Sequence, residues 1–153
     1  MSVVVEVASR VERPWLEGID WTAAVAGTLA AEGYHEGEVS LVLVDAETMH
    51  DLNRRHLDHD WTTDVLTFVY DVDEDAGRVT GEIIVSPDYA AREAAERSWS
   101  PDQELTLYAV HGALHLAGYD DVEPDDRRAM RAAERRHATR LFGSVPDGAI
   151  DND

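Results

Sequence analysis

The stretch that most limits how this chain can fold is residues 102–117. Wound as a helix it is apolar nearly all the way round, with Leu105, Leu107, Tyr108, Val110, Leu114 and Leu116. Such a helix belongs in the centre of a structure, yet this one carries His111 and His115. Four residues apart, they lie roughly 40° apart around an axis that turns every ~3.6 residues, so both imidazoles reach one point. Gly118 can end the helix in a left-handed conformation, after which the chain turns back and delivers Asp121 to the same place. An interior imidazole must be hydrogen-bonded or coordinated. Two histidines and a carboxylate leave one position open for water, the pattern of a catalytic zinc site rather than a structural one. The alternative, two core histidines satisfied by backbone carbonyls, suits an i, i+4 pair but gives the Gly-Tyr-Asp-Asp loop no purpose. Gly112 adds to the first reading: glycine inside a helix costs ~1 kcal/mol against alanine and implies close approach of something.

The 153 residues suffice for one domain with a real core. There is no cysteine, which excludes disulfides, thiolate metal sites and thiol nucleophiles. No apolar run approaches the ~18 residues of a membrane span, and residues 1–20 lack the pattern of a signal peptide, so a cytoplasmic protein is expected. Thirty-two acidic residues face thirteen arginines and no lysine, a formal net charge of −19. A proteome-wide bias toward acidic surfaces explains this most simply. It also repels nucleic acid at long range, so any RNA contact needs a local positive patch or a partner.

Hydrophobic patterning predicts strands at Val3–Val7, Val39–Val44, Val65–Tyr70 and Glu82–Ser86. It predicts helices from Pro14 to about Glu32, Glu47 to Leu57, Asp88 to Arg97, Asp102 to Ala117 and Pro124 to Leu141. Asp71–Gly77 reads as an acidic loop and Asp147–Asp153 as an acidic, frayed tail. The expected fold is α+β: a single domain over residues 1–153, a mixed four-stranded sheet packed with about five helices, and a central buried metal-binding helix. Arg127, Arg128, Arg131, Arg135 and Arg136, interleaved with Asp125, Asp126 and Glu134, read as a solvated, salt-bridged face. His50, His56, His59 and His137 lack partners at metal-ligand spacing.

His111 to Asp120 reads His-Gly-Ala-Leu-His-Leu-Ala-Gly-Tyr-Asp. It resembles the signature His-Gly-x-Leu-His-Leu-x-Gly-Tyr-Asp-His of the YbeY family, metal-dependent endoribonucleases linked to ribosomal RNA maturation in bacteria. Thr63-Asp64-Val65-Leu66-Thr67-Phe68 is similar to that family's Thr-Asp-Val-Leu-Ser-Phe, with Leu52-Asn53 and Asp60 at the expected distances before it. Gly81–Ser86 is similar to its Gly-Asp-Ile strand, and Glu104 precedes the first histidine at the usual spacing, so the likeness covers about residues 40–143. The third histidine of the signature is Asp121 here. An aspartate reaches less far than imidazole, so the loop must move inward or a water must bridge. Its charge lowers the site's net charge from +2 to +1, which weakens Lewis acidity and tilts preference toward metals harder than zinc. A family arginine implicated in activity is replaced by Leu57, and His56 stands where an aromatic residue is usual. Arg54, one turn back on the same helical face, reads either as a solvated surface arginine or as a partial substitute for that arginine as a phosphate clamp.

The resemblance implies metal-assisted hydrolysis of single-stranded RNA in maturation of the 16S 3′ end and ribosome quality control, with ribosomal small-subunit components as partners. His111, His115 and Asp121 would hold one Zn²⁺ or another divalent transition ion, with water as nucleophile or proton acceptor. Asp64 and Asp120 are the candidate acceptors to orient the histidines, Asp64 reading equally as a turn residue. Zinc peptidases place a general-base glutamate after the first histidine; here that residue is Gly112, which excludes peptide hydrolysis by that route. The competing reading is a ribosome-biogenesis binding protein whose metal site is structural or weakly active.

Overall fold

A computed structural model describes residues 2–57 and 65–150 of the chain. Four strands form one sheet in the order β1-β2-β4-β3, with β1 (Val4–Ser9), β2 (Glu36–Leu43) and β4 (Arg78–Val85) parallel. β3 (Val65–Asp73) runs antiparallel beside β4 at one edge. The helices are α1 (Gly27–Ala31), α2 (Ala46–Leu57), α3 (Pro87–Arg97), α4 (Pro101–Leu116) and α5 (Pro124–Phe142). The architecture is the α+β fold expected, with its mixed four-stranded sheet.

Side-chain alternation divides the sheet's two faces. Val39, Leu41 and Leu43 of β2 and Val79, Ile83 and Val85 of β4 join the main core with Leu105, Ala109, Ala113 and Leu114 of α4 and Met130 and Ala133 of α5. Val42, Val44 and Ile84 point the other way, to a smaller core closed by Met49 and Leu52 of α2 with Leu66 and Phe68 of β3. Only the C-terminal ends of β2 and β4, residues 41–43 and 83–85, are covered on both faces, and these are their apolar runs; the earlier residues alternate, with Glu36, Glu38 and Ser40 exposed.

Three local expectations are corrected. The helix expected from Pro14 to Glu32 is broken. A 3₁₀ turn at Pro14–Gly18 stops at Ile19, which is extended, and a π-helical turn at Thr22–Ala26 then leads into α1. Asp20 causes the restart by accepting the Ala23 N–H at 3.0 Å. The acidic loop is shorter than expected, because β3 and β4 continue as a hairpin in which Arg78 pairs with Asp71 and Asp73. The tail is not frayed at its start. Ala149 and Ile150 are buried, Ile150 against Leu107 and Ala138, and Arg97 and Arg135 donate to their carbonyl oxygens.

Candidate metal centre

α4 begins with a reciprocal cap. The Ser100 hydroxyl serves the Gln103 N–H, and the Gln103 side chain accepts from the Ser100 N–H at 3.1 Å. Its other end fixes the metal loop. The Gly118 N–H bonds the His115 carbonyl at 3.0 Å and the Tyr119 N–H bonds the Leu114 carbonyl at 2.9 Å, the two bonds of a Schellman motif. Gly118 has φ = +104°, which other residues resist, so the expectation of glycine as the helix stop holds. This turn brings the Tyr119 carbonyl to His115 Nδ1 at 3.0 Å and carries Asp121 back over the helix.

The three expected ligands converge. His111 Nε2 and His115 Nε2 are 3.1 Å apart, and Asp121 Oδ2 lies 3.3 Å from the first and 3.6 Å from the second. Ligand atoms ~2.0–2.2 Å from a tetrahedral ion stand ~3.3–3.6 Å from one another, so the triangle fits a single small divalent cation. Proton placement makes the same demand. A carbonyl oxygen only accepts, so His115 Nδ1 carries its hydrogen and Nε2 presents a lone pair. His111 Nδ1 faces the Glu134 carboxylate at 3.5 Å, which favours the same tautomer. Two lone pairs and a carboxylate pointed at one spot suit a cation between them. Asp121 thus reaches the cluster directly.

The ligands are partly exposed, at 15%, 24% and 32% for His111, His115 and Asp121, so the open side admits water or substrate. Behind them the site is closed. A polar cavity of about 100 Å³ is lined by Arg97, Glu104, Tyr108, His111, Arg131 and Glu134, with Ile150 of the tail on its wall. Glu134 is 3% exposed and held by Arg131 at 2.6 Å. Glu104 is buried and accepts the Trp99 indole N–H at 2.6 Å.

Glu134 is the functional residue that sequence reasoning missed. The charge pattern places it on a solvated face, but on α5 it falls in the stripe Met130, Ala133, Glu134, His137 and Ala138, all buried. A carboxylate and an imidazole inside a 3.6-residue apolar stripe were the available signal. The arginines of that helix are not all surface pairs either: Arg131 reaches Glu134, Arg136 reaches Glu32 and Arg135 reaches Ile150. Of the two expected orienting acceptors, Asp120 is exposed and accepts the Asp121 N–H instead. Asp64 lies outside the described residues, as do Asp60, His59 and the side chains of His56 and Leu57. Arg54 sits exposed on α2, paired with Asp51 at 3.2 Å, in a depression lined by Glu47, Thr48, His50 and Asp51.

The family model described as Endoribonuclease YbeY matches residues 14–142, which includes every residue of the cluster. The chain belongs to the YbeY family. A relative named Endoribonuclease YbeY from Rhodopirellula baltica is 44% identical over 123 residues, covering 79% of this chain and 61% of its own length. Another of that name, from Nocardia farcinica, is 34% identical over 154 aligned residues, covering 95% of this chain and 83% of its own. A solution structure of a Thermotoga maritima protein matches with a TM-score of 0.63 and 26% identity, over 92% of this chain and 90% of that one. The chain therefore spans about three fifths of the Rhodopirellula relative and most of the Nocardia one.

In this YbeY-family site Asp121 is held ionised and His115 resists protonation. With no ion bound, a hydrogen bond from His111 once its Nε2 is protonated, with attraction from both histidines and Arg131, pulls the Asp121 carboxyl down to about 2 against the effect of burial. Burial and the neighbouring His111 push His115 below the ordinary histidine value of 6.5, and burial does the same to His137. The sign for stability follows from proton uptake. The histidines cost nothing while neutral in both states, and destabilise as pH falls through 6.5, where the unfolded chain takes protons the fold resists. Asp121 contributes stability above its unfolded value of 3.8, lost as pH falls toward about 2. Metal-free protein is thus expected to lose urea resistance progressively from pH 7 to pH 3. Measurement in about 1 M salt screens the self-repulsion of the −19 chain. A urea midpoint that climbs over that range would contradict the assignment.

Proposed function

We propose that this chain is a metal-dependent endoribonuclease that cuts single-stranded RNA. The observation that carries the proposal is the convergence of His111 Nε2, His115 Nε2 and Asp121 Oδ2 within 3.1–3.6 Å, open on one side. It stands in a family whose relatives bear the name Endoribonuclease YbeY. A zinc ion held there supplies Lewis acidity toward a phosphoryl oxygen and acidifies water. The chain's own residues do the rest. Asp121 stays ionised through the physiological range. The Tyr119 carbonyl and Glu134 orient the two imidazoles, and Arg131 keeps the Glu134 carboxylate in place. Gly112 offers no side chain to take a proton from water, so the peptidase arrangement has no counterpart here.

Zinc is the ion proposed, another divalent transition ion being the variant that the aspartate ligand admits. Arg54 is proposed as a contact for substrate phosphate, which requires it to leave an exposed pair with Asp51 worth under ~1 kcal/mol. The setting proposed is cytoplasmic maturation of the 16S 3′ end, beside small-subunit components that bring RNA to a chain of net charge −19. Among the described residues no helix is long and apolar enough to cross a membrane.

The test is cleavage of end-labelled single-stranded and duplex RNA by zinc-loaded protein. Internal cuts in the single strand are expected, abolished by EDTA and restored by zinc, with Arg54→Ala raising KM a few-fold at unchanged kcat. Zinc-loaded protein that retains RNA or ribosomal components without cutting would replace the enzyme with the binding module.

A further inference from the structure

Glu32 closes the C-terminal end of α1, and its carboxylate collects donors from two distant parts of the chain. The Tyr119 hydroxyl donates to Oε1 at 2.9 Å, while His137 Nε2 and Arg136 donate to Oε2 at 3.0 and 2.9 Å. The arrangement is internally determined. Arg140 points a guanidinium N–H at His137 Nδ1 at 3.3 Å, and a guanidinium only donates. His137 Nδ1 therefore accepts, and its Nε2–H is committed to Glu32. Burial alone would raise the Glu32 carboxyl, but the bonds from His137, Tyr119 and Arg136 outweigh it and hold the group below its ordinary range. Glu32 is ionised, largely shielded at 14% exposed, and surrounded by fixed donors.

Tyr119 joins this cluster to the metal centre. Its hydroxyl ends on Glu32, and its carbonyl receives the Nδ1–H of His115. Two residues later the same loop delivers Asp121 to both imidazoles. We infer that Glu32 is a positioning residue of the metal site, acting through Tyr119 to hold the loop that fixes the His115 tautomer and carries Asp121 inward. This rests on the metal reading above. It also answers the difficulty of a short aspartate in the third ligand position. The loop has to sit deep for Asp121 to reach, and the hydroxyl tether anchors it from α1 and α5. The Schellman turn itself fixes the backbone only as far as Tyr119.

The competing account is that the Tyr119 ring, packed against the main core, holds the loop unaided. Tyr119→Phe separates the two, since it keeps the ring and removes the tether. Glu32→Gln is the second variant, with one acceptor oxygen for three donors. Zinc titration by calorimetry should show the dissociation constant rising about 5- to 10-fold in each, below the 10–100-fold typical of a residue bonded directly to a ligand. In metal-free protein, ¹⁵N shifts of the His115 ring should move from a pure Nδ1–H form in the unaltered chain to a tautomer mixture in both variants. A merely structural tyrosine would lower the melting temperature and leave zinc affinity and tautomer unchanged; that result overturns the inference alone. An unaltered chain that takes up no zinc overturns the metal reading and this inference with it.

Discussion

Replacing His115 by alanine is expected to take zinc content from about one ion per chain to below a tenth, and RNA cleavage down by at least about a thousandfold. The size of the effect comes from the ligand count. A three-residue site that loses one neutral donor keeps only His111 and Asp121, too few to hold an ion against water at micromolar metal. The chemistry then loses its Lewis acid, and a thousandfold in rate corresponds to ~4 kcal/mol at 1.36 kcal/mol per decade. His111→Ala should behave alike, as should Asp121→Ala, because Oδ2 lies within 3.6 Å of both imidazole nitrogens. Glu134→Gln should fall between these and the unaltered protein, with zinc affinity down 10–100-fold, since it weakens orientation without removing a donor. The graded order is what distinguishes a metal site from a packing site. His115 is only three-quarters buried, so its alanine variant stays folded, and far-ultraviolet circular dichroism should match the unaltered chain. Full zinc content in Asp121→Ala beside its loss in His111→Ala would remove the aspartate from the ligand set.

The parts of this site that were legible in the sequence are those carried by one short segment. His111, His115, Gly118 and Asp121 lie within eleven residues, and helix periodicity together with glycine's conformational range places all four. The groups that orient them come from elsewhere. Glu134 lies on α5 and Glu32 on α1, and their distance from His111 and Tyr119 is set by packing rather than by spacing. Backbone partners are invisible too. The acceptor for His115 is the Tyr119 carbonyl, which every residue possesses, so side-chain inspection pointed to Asp120 and Asp64 instead. The fold shows the same division. The C-terminal ends of β2 and β4 are legible as short apolar runs, while their alternating N-terminal halves are not. The break at Ile19 turns on one Asp20 hydrogen bond, and the docking of Ile150 depends on arginines from α3 and α5. Local pattern thus specified the candidate ligands, and tertiary contact the groups that orient them.

Gly112→Ala is expected to weaken zinc binding although residue 112 touches no metal. A Cβ added there would stand 2.6 Å from Ile83 Cγ2, and 3.2 Å from Ile83 Cγ1 and Thr67 Cγ2. Ile83 is fully buried in β4, and its Cγ2 is fixed to a β-branched carbon with little rotameric freedom, so the methyl cannot yield. The helix must lift from the sheet instead. Overpacking of this kind costs ~1–3 kcal/mol, partly offset by the ~1 kcal/mol that alanine gains over glycine in a helix. The urea midpoint should fall modestly. Zinc affinity should fall by more than that, because the displaced turn is the one that carries His111 while Asp121 is held from the other side through Tyr119 and Glu32. Ile83→Leu in the same background moves the branch away from the β-carbon and should recover much of the lost affinity. Rescue by a buried residue that meets neither metal nor RNA would show that the glycine sets the depth of α4. The helix–sheet distance would then be a working part of the metal centre. Unaltered zinc affinity in Gly112→Ala would mean that the sheet yields and the ligands do not depend on it.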